Sequence, residues 1–202
     1  MIAQILENNS LRTLDADGFA RRFGAAYRPT LYLDEPAPAS LAAAADASAA
    51  ESARTWGPLA TQAFRRFLRD GASVPGWIAR AQDSVGFGLF AARALAPGDP
   101  VGEYAGLLTR AWRPLGQGRF NPYLLKYPFE SPFAVDAEAQ GNELRFVNHS
   151  ARRANVARAL LVHDGLPRVL FVVSRPISLG EQFLLDYGPS YVFAAAPKDL
   201  AP

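Results

Sequence analysis

The 202-residue sequence has no cysteine, one methionine and only two histidines, His149 and His163. Without cysteine there are no disulfides and no thiolate metal ligands. Two histidines are too few for a histidine-rich zinc site. Lysine is nearly absent: of 21 basic residues only Lys126 and Lys198 are lysines, and the other 19 are arginines. No apolar run approaches the length of a membrane span. The opening "MIAQILENNS" lacks the basic stretch and long apolar run of a signal peptide. Together these absences predict a soluble protein. What is present suits a folded domain of ordinary size, with half the residues hydrophobic, a fifth charged and a net charge of +2. Arginines gather at Arg65, Arg66 and Arg69, and again at Arg145, Arg152, Arg153 and Arg158. Such clusters can attract acidic protein or nucleic acid, but a solvated face is the plainer reading of each.

Along the chain, "TLYLDEP" at residues 30–36 predicts a short strand ended by Pro36 and Pro38. The alanine-rich stretch that follows has few large side chains to bury and reads as a linker or a loosely held helix. "PLATQAFRRFLRDGAS" is a clear helix, with Phe64, Phe67 and Leu68 on one face and Gly71 as its stop. From Trp77 the texture becomes short β-like runs punctuated by Gly86, Gly88, Pro97-Gly98, Gly102 and Gly180. "FNPYLLKYP" fits strand or helix. This pattern is mainly β with tight turns, which disfavours a doubly wound nucleotide fold.

Several short motifs are ordinary when taken singly. Gly86-Phe87-Gly88 lacks the third glycine and the helix of a dinucleotide site. Glu103-Tyr104 with Gly106 looks like a strand end, as does Asp186-Tyr187-Gly188. "GNELRFVNHSARRAN", residues 141–155, is harder to dismiss. It places Asn148, His149 and Ser150 directly after the apolar pair Phe146 and Val147. Polar groups at the end of a half-buried run need partners from the fold or from a ligand.

Taken in order, "GFGLFAARALAPGDPVGEYAG", "VDAEAQGNELRFVNHSARRAN" and "EQFLLDYG" resemble the SET-domain protein-lysine methyltransferases. The resemblance covers residues 77–188. It implies an α+β, mainly β fold of small sheets with a C-terminal pseudoknot, an exception to unthreaded topology. The organisation it implies is a helical or linker region at 1–75, the SET domain at 76–188 and a tail at 189–202 that closes the site. It also implies S-adenosylmethionine as cofactor and methyl transfer to a lysine ε-amine in a protein substrate. That substrate could be a histone, a histone-like or ribosomal protein, or a host target of a secreted effector; nucleic acid is not expected as substrate, nor is a membrane. A catalytically silent SET-like binding module is the alternative, against which the intact Tyr187, Asn148, Gly86 and Gly88 argue.

By the same resemblance Tyr187 is the catalytic tyrosine and Tyr104 lines the lysine channel beside it. Gly86, Phe87 and Gly88 approach the cofactor with their main chain. Asn148 uses its amide to hold the methionine part, His149 contributes backbone contacts to the adenine end, and Tyr123 touches the cofactor. Leu185, two residues before the catalytic tyrosine, occupies a position that limits how many methyl groups are added. Leu185, Tyr191 and Phe193 belong to the substrate channel. The chain departs from the pattern in carrying Ala154-Asn155 where the family has Pro-Asn, and in lacking the cysteine-rich modules that flank many members. The alanine and arginine bias and the compactness predict a bacterial, cytoplasmic protein or one secreted into a host cell.

Overall fold

The computed structural model describes residues 2–71, 73–81, 86–110 and 121–188. The chain opens with a hairpin of β1 (Ala3–Glu7) and β2 (Ser10–Leu14). Its loop is Asn8-Asn9, with φ of 49° and 58°. Two consecutive positive φ values make the turn whose twist matches that of paired strands, and asparagine tolerates them. α1 (Ala16–Phe23) follows, capped by the Asp15 carboxylate, which accepts from the Gly18 amide at 2.7 Å. Its Phe19 is fully buried. β3 (Ala26–Tyr27) leads to α2 (Ala39–Asp70).

α2 runs through the alanine-rich stretch that reads as a linker in the sequence. Small side chains let it lie close against the core, with Leu41 and Ala45 buried. It breaks at Gly57, where φ 78° and ψ 171° lie outside the reach of other residues, and resumes at Pro58, which needs no hydrogen-bonded N–H at a helix start. It ends at Gly71 as expected. The strand expected at residues 30–36 is only a single bridge from Tyr32 to Leu107.

The remaining elements are β4 (Gly76–Arg80), β5 (Phe87–Ala91), β6 (Pro100–Glu103), β7 (Leu107–Arg110), β8 (Leu124–Lys126), β9 (Phe133–Asp136), β10 (Gln140–Gly141), a 3-10 turn (Glu143–Phe146), β11 (Asn148–His149), β12 (Val156–His163), β13 (Leu166–Val173) and β14 (Leu184–Leu185). They form four small sheets, ordered β2-β1-β4-β5, β3-β10, β7-β9-β8 and β11-β14-β12-β13-β6. β1 pairs in parallel with β4, so the N-terminal hairpin is built into a sheet of the main body rather than appended to it. Both helices of the described residues lie in the N-terminal part.

β12 and β13 divide the core by alternation. Ala159, Leu161, Leu170 and Val172 pack with Phe64 of α2, whose Phe67 and Leu68 join as the sequence predicts. Leu160, Val169, Phe171 and Val173 face the main core with Ile78 and Leu89. β14 is inserted between β11 and β12, which are joined only by residues 150–155. This is the expected pseudoknot. Asn155, fully buried, holds it closed: its side chain donates to Glu181 Oε1 at 3.0 Å and the Gln182 carbonyl at 2.8 Å, and accepts from the Leu184 amide at 2.8 Å.

Candidate active site

β11 and β14 run parallel, with Asn148 opposite Leu184 and His149 opposite Leu185. This register brings the two polar residues of "FVNHS" beside "LDYG", 38 residues later in the chain. Tyr187 turns back over them. Its hydroxyl donates to the Val147 carbonyl at 2.6 Å, and its amide donates to His149 Nδ1 at 3.0 Å. Asn148 Nδ2 donates to the Phe87 carbonyl at 3.1 Å, which ties β11 to β5. With the amide so oriented, the Asn148 side-chain oxygen is the atom left to accept from a ligand.

Gly86 has φ 76° and open space where a side chain would stand. Gly88 is closely approached by its own fold. A Cβ there would lie 2.4 Å from Gln182 Nε2 and 3.1 Å from the Phe90 ring. The nearest of these atoms is the tip of a flexible side chain, so a Cβ at 88 would require Gln182 to swing aside. The Phe87 ring is occupied with an aromatic cluster, 5.2 Å from Phe23 and 6.0 Å from Phe146, under the guanidinium groups of Arg22 and Arg80 at 4.7 Å each. Only its main chain is available to a ligand.

Tyr104 is buried, stacks on Phe171 at 5.4 Å and donates its hydroxyl to the Tyr123 carbonyl at 2.8 Å. Burial, with the neighbouring Tyr187, pushes its phenol well above the ordinary range, so it stays protonated. Tyr123 lies under the Arg145 guanidinium, 4.2 Å from its ring centre. Leu185 is buried, and Tyr191 and Phe193 fall outside the described residues. A cleft of about 610 Å³ reaches Leu185 and Asp186 from α2, where Ser48, Glu51 and Ser52 form its wall.

Three groups carry the architecture of this region without having been singled out as site residues. Asn155 stands where the sequence pattern shows only an Ala-for-Pro exchange before it. Asn142 donates to the Glu103 carbonyl at 2.8 Å and caps the 3-10 turn by accepting from the Leu144 amide at 3.2 Å. Glu103 is buried against Arg168 at 2.9 Å, with Thr30 and the Leu31 amide as further donors. The second arginine cluster is not one surface: Arg145 is buried and Arg158 half-buried, while Arg152 and Arg153 are exposed. It does not form a nucleic-acid patch.

Comparison with known proteins places this geometry among relatives. A family model described as the SET domain matches residues 86–188. The histone-lysine N-methyltransferase MEDEA of Arabidopsis thaliana is 32% identical over 116 residues, 54% of this chain and 16% of that protein. The histone-lysine N-methyltransferase Su(var)3-9 of Drosophila melanogaster is 29% identical over 134 residues, 60% of this chain and 21% of its own. The chain thus spans about a fifth or less of the length of these curated relatives. A crystal structure of ATXR5 in complex with histone H3.1 shares the fold, with a TM-score of 0.64 at 17% identity, covering 89% of this chain and 87% of that one. The complex ctPRC2 bound to S-adenosylmethionine gives a TM-score of 0.53 at 27% identity over 61% of this chain and 16% of that one. The relatives named come from eukaryotes, so the expected bacterial origin finds no support among them.

Proposed function

The chain belongs to the SET-domain family, and from that premise we propose that it transfers a methyl group from S-adenosylmethionine to the ε-amine of a lysine in a protein substrate. The observation that carries this reading is the lock between Tyr187 and the "VNH" segment: a hydroxyl pinned on Val147 directly beside Asn148 and His149.

The residues fit the cofactor. The Asn148 oxygen can accept from its α-amino group, Gly86 leaves open space, and Phe87 offers main chain. His149, held by the Tyr187 amide at Nδ1, offers its main chain. When bound, the cofactor would supply an electrophilic methyl on a sulfonium, for which a neutral lysine amine is the nucleophile.

The protein's own part is orientation and desolvation. Tyr187 spends its proton on Val147, so its oxygen lone pairs are what it offers to an amine N–H or a polarised methyl C–H. Tyr104 spends its proton on Tyr123 and offers the same. Both acceptors are fixed before substrate arrives, so no reorganisation is needed during transfer. The cleft beside Asp186 and α2 offers a bed for a polypeptide. Relatives named as histone-lysine methyltransferases make a histone the first substrate to try.

Two measurements test this reading. Calorimetry should show S-adenosylmethionine binding at one site. Incubation with methyl-labelled cofactor and core histones should place label on lysine, located by mass spectrometry. Tyr187→Phe should keep the fold and most cofactor affinity and lose at least tenfold in rate, about 1.4 kcal/mol of barrier. Cofactor binding without any lysine methylation would reduce the protein to a binding module.

A further inference from the structure

Arg145 is the least expected charge in the molecule. Its side chain belongs to the 3-10 turn that leads into "VNHS" and is 8% exposed. Nη2 donates to the Glu138 carbonyl at 3.0 Å, but Nε and Nη1 are buried without a hydrogen-bond partner. No carboxylate among the described residues comes within ion-pair distance of it. Its compensation is the face of Tyr123 at 4.2 Å and that of Phe146 at 5.5 Å. A guanidinium does not shed its proton in a protein, so this is a permanent positive charge held in an apolar setting. Such a charge is costly, and a neutral side chain of similar length would fill the space at less cost.

Its surroundings suggest what the charge does. Tyr104, Tyr123 and Asp136 all interact with it electrostatically. Tyr104 in turn senses both Arg145 and Tyr187. The positive charge therefore acts on Tyr104, one of the two tyrosines that the methyl-transfer reading places around the amine, and Tyr104 in turn interacts with the other, Tyr187. The groups facing it from other elements are Tyr104 after β6, Tyr123 before β8 and Asp136 of β9; Glu143 shares its own turn. Asp136 is the one carboxylate among those that act on it. Asp136 Oδ1 is engaged by Asn121 Nδ2 at 3.0 Å and the Glu138 amide at 2.8 Å, so it offsets the field without neutralising it.

Resting on that reading, we propose that Arg145 is a positioning residue for the reacting amine: its buried, unpaired positive charge disfavours the ammonium form of a lysine entering beside Tyr104 and Tyr187, and so holds the amine neutral for attack. A free lysine has a pKa of about 10.4, so at neutral pH almost none of it is nucleophilic. A like charge in a low-dielectric site is one of the few devices that favours the neutral form.

The test is the pH dependence of kcat with histone H3 at saturation, because kcat reports ionisations in the bound complex. In the wild type kcat should rise with pH along a limb that reports the bound amine. Arg145→Gln should move that limb upward by about one pH unit. Arg145→Lys should leave it near the wild-type position. Asp136→Asn, which removes the opposing carboxylate but keeps its oxygen acceptor, should move it the other way. Affinity of an H3 peptide, measured by anisotropy with S-adenosylhomocysteine present, should tighten with rising pH in the wild type and do so at higher pH in Arg145→Gln. Should Arg145→Gln fail to fold, Asp136→Asn decides alone. Unshifted limbs in the folded variants overturn the proposal, as does an Arg145→Gln whose sole defect is weaker S-adenosylmethionine binding by calorimetry, which would make the guanidinium a carboxylate clamp. A wild type that binds cofactor but methylates no lysine fails earlier and overturns the methyl-transfer reading with it.

Discussion

Leu185 gives the wall beside Tyr187 no hydrogen-bonding group, and it is buried. A water in an apolar niche stays only if it finds polar partners, and leucine supplies none. A methylated amine can then turn in that space and be attacked again. The expected product is di- or trimethyl-lysine, and Leu185→Tyr should shift it toward monomethyl-lysine; intact-mass spectra after long incubation with excess cofactor decide, and a wild type that stops at one methyl counts against the idea. At this scale the sequence was most readable. Two motifs 38 residues apart placed Asn148, His149 and Tyr187 together only through the resemblance of their order to the SET domain, since each motif alone reads as ordinary. It was least readable for Gly88 and Arg145. A glycine closely approached by Gln182 and a buried guanidinium whose Nε and Nη1 lack hydrogen bonds are facts of packing, and no one-residue pattern carries them.

Among the elements, the crossing at β14 depends on one side chain. Asn155 makes three hydrogen bonds across it while fully buried. Asn155→Ala leaves the Leu184 amide and the Gln182 carbonyl without those partners, which should cost about 3 kcal/mol or more. Thermal unfolding should register this as a drop in Tm of many degrees, with cofactor binding lost in parallel; an unchanged Tm would show that the backbone pairing alone holds the crossing. The elements were unevenly legible. The second half of α2 announced itself through Phe64, Phe67, Leu68 and Gly71. Its first half hid because alanines carry little signal of burial. The Asn8-Asn9 pair between "AQILE" and "SLRTL" was a hairpin signal that went unread. β1 itself could not be seen, since its partner β4 lies about 70 residues onward.

For the molecule as a whole, the boundary near residue 75 suggested by the sequence cuts through a sheet and removes the helix that covers β12 and β13. A chain beginning at residue 76 should therefore show no cooperative unfolding transition by calorimetry; a sharp transition would make the N-terminal part dispensable. A second whole-molecule effect comes from Glu143, buried with the Tyr27 hydroxyl at 3.1 Å as donor. Burial pushes its carboxyl from the ordinary 4.5 up to about 7, against the pull of its hydrogen bonds. The folded state thus binds this proton more tightly than the unfolded chain. Its contribution to stability is complete below about pH 4.5, declines as pH rises and is gone above about pH 7, on the order of 3 kcal/mol in all. Glu143→Gln should therefore match the wild type near pH 5 and exceed it in Tm at pH 8; equal Tm values at both would place the ionised carboxylate in a well-solvated setting. The threaded strand also sets an order in time. β14 emerges from synthesis after both strands it must lie between, and the amides of Ser150, Asn155 and Leu184 find their acceptors only when it arrives. Until then Tyr187 has no Val147 to bind and Asn148 no settled neighbour. An unfinished chain therefore lacks the proposed site, which comes together only with β14.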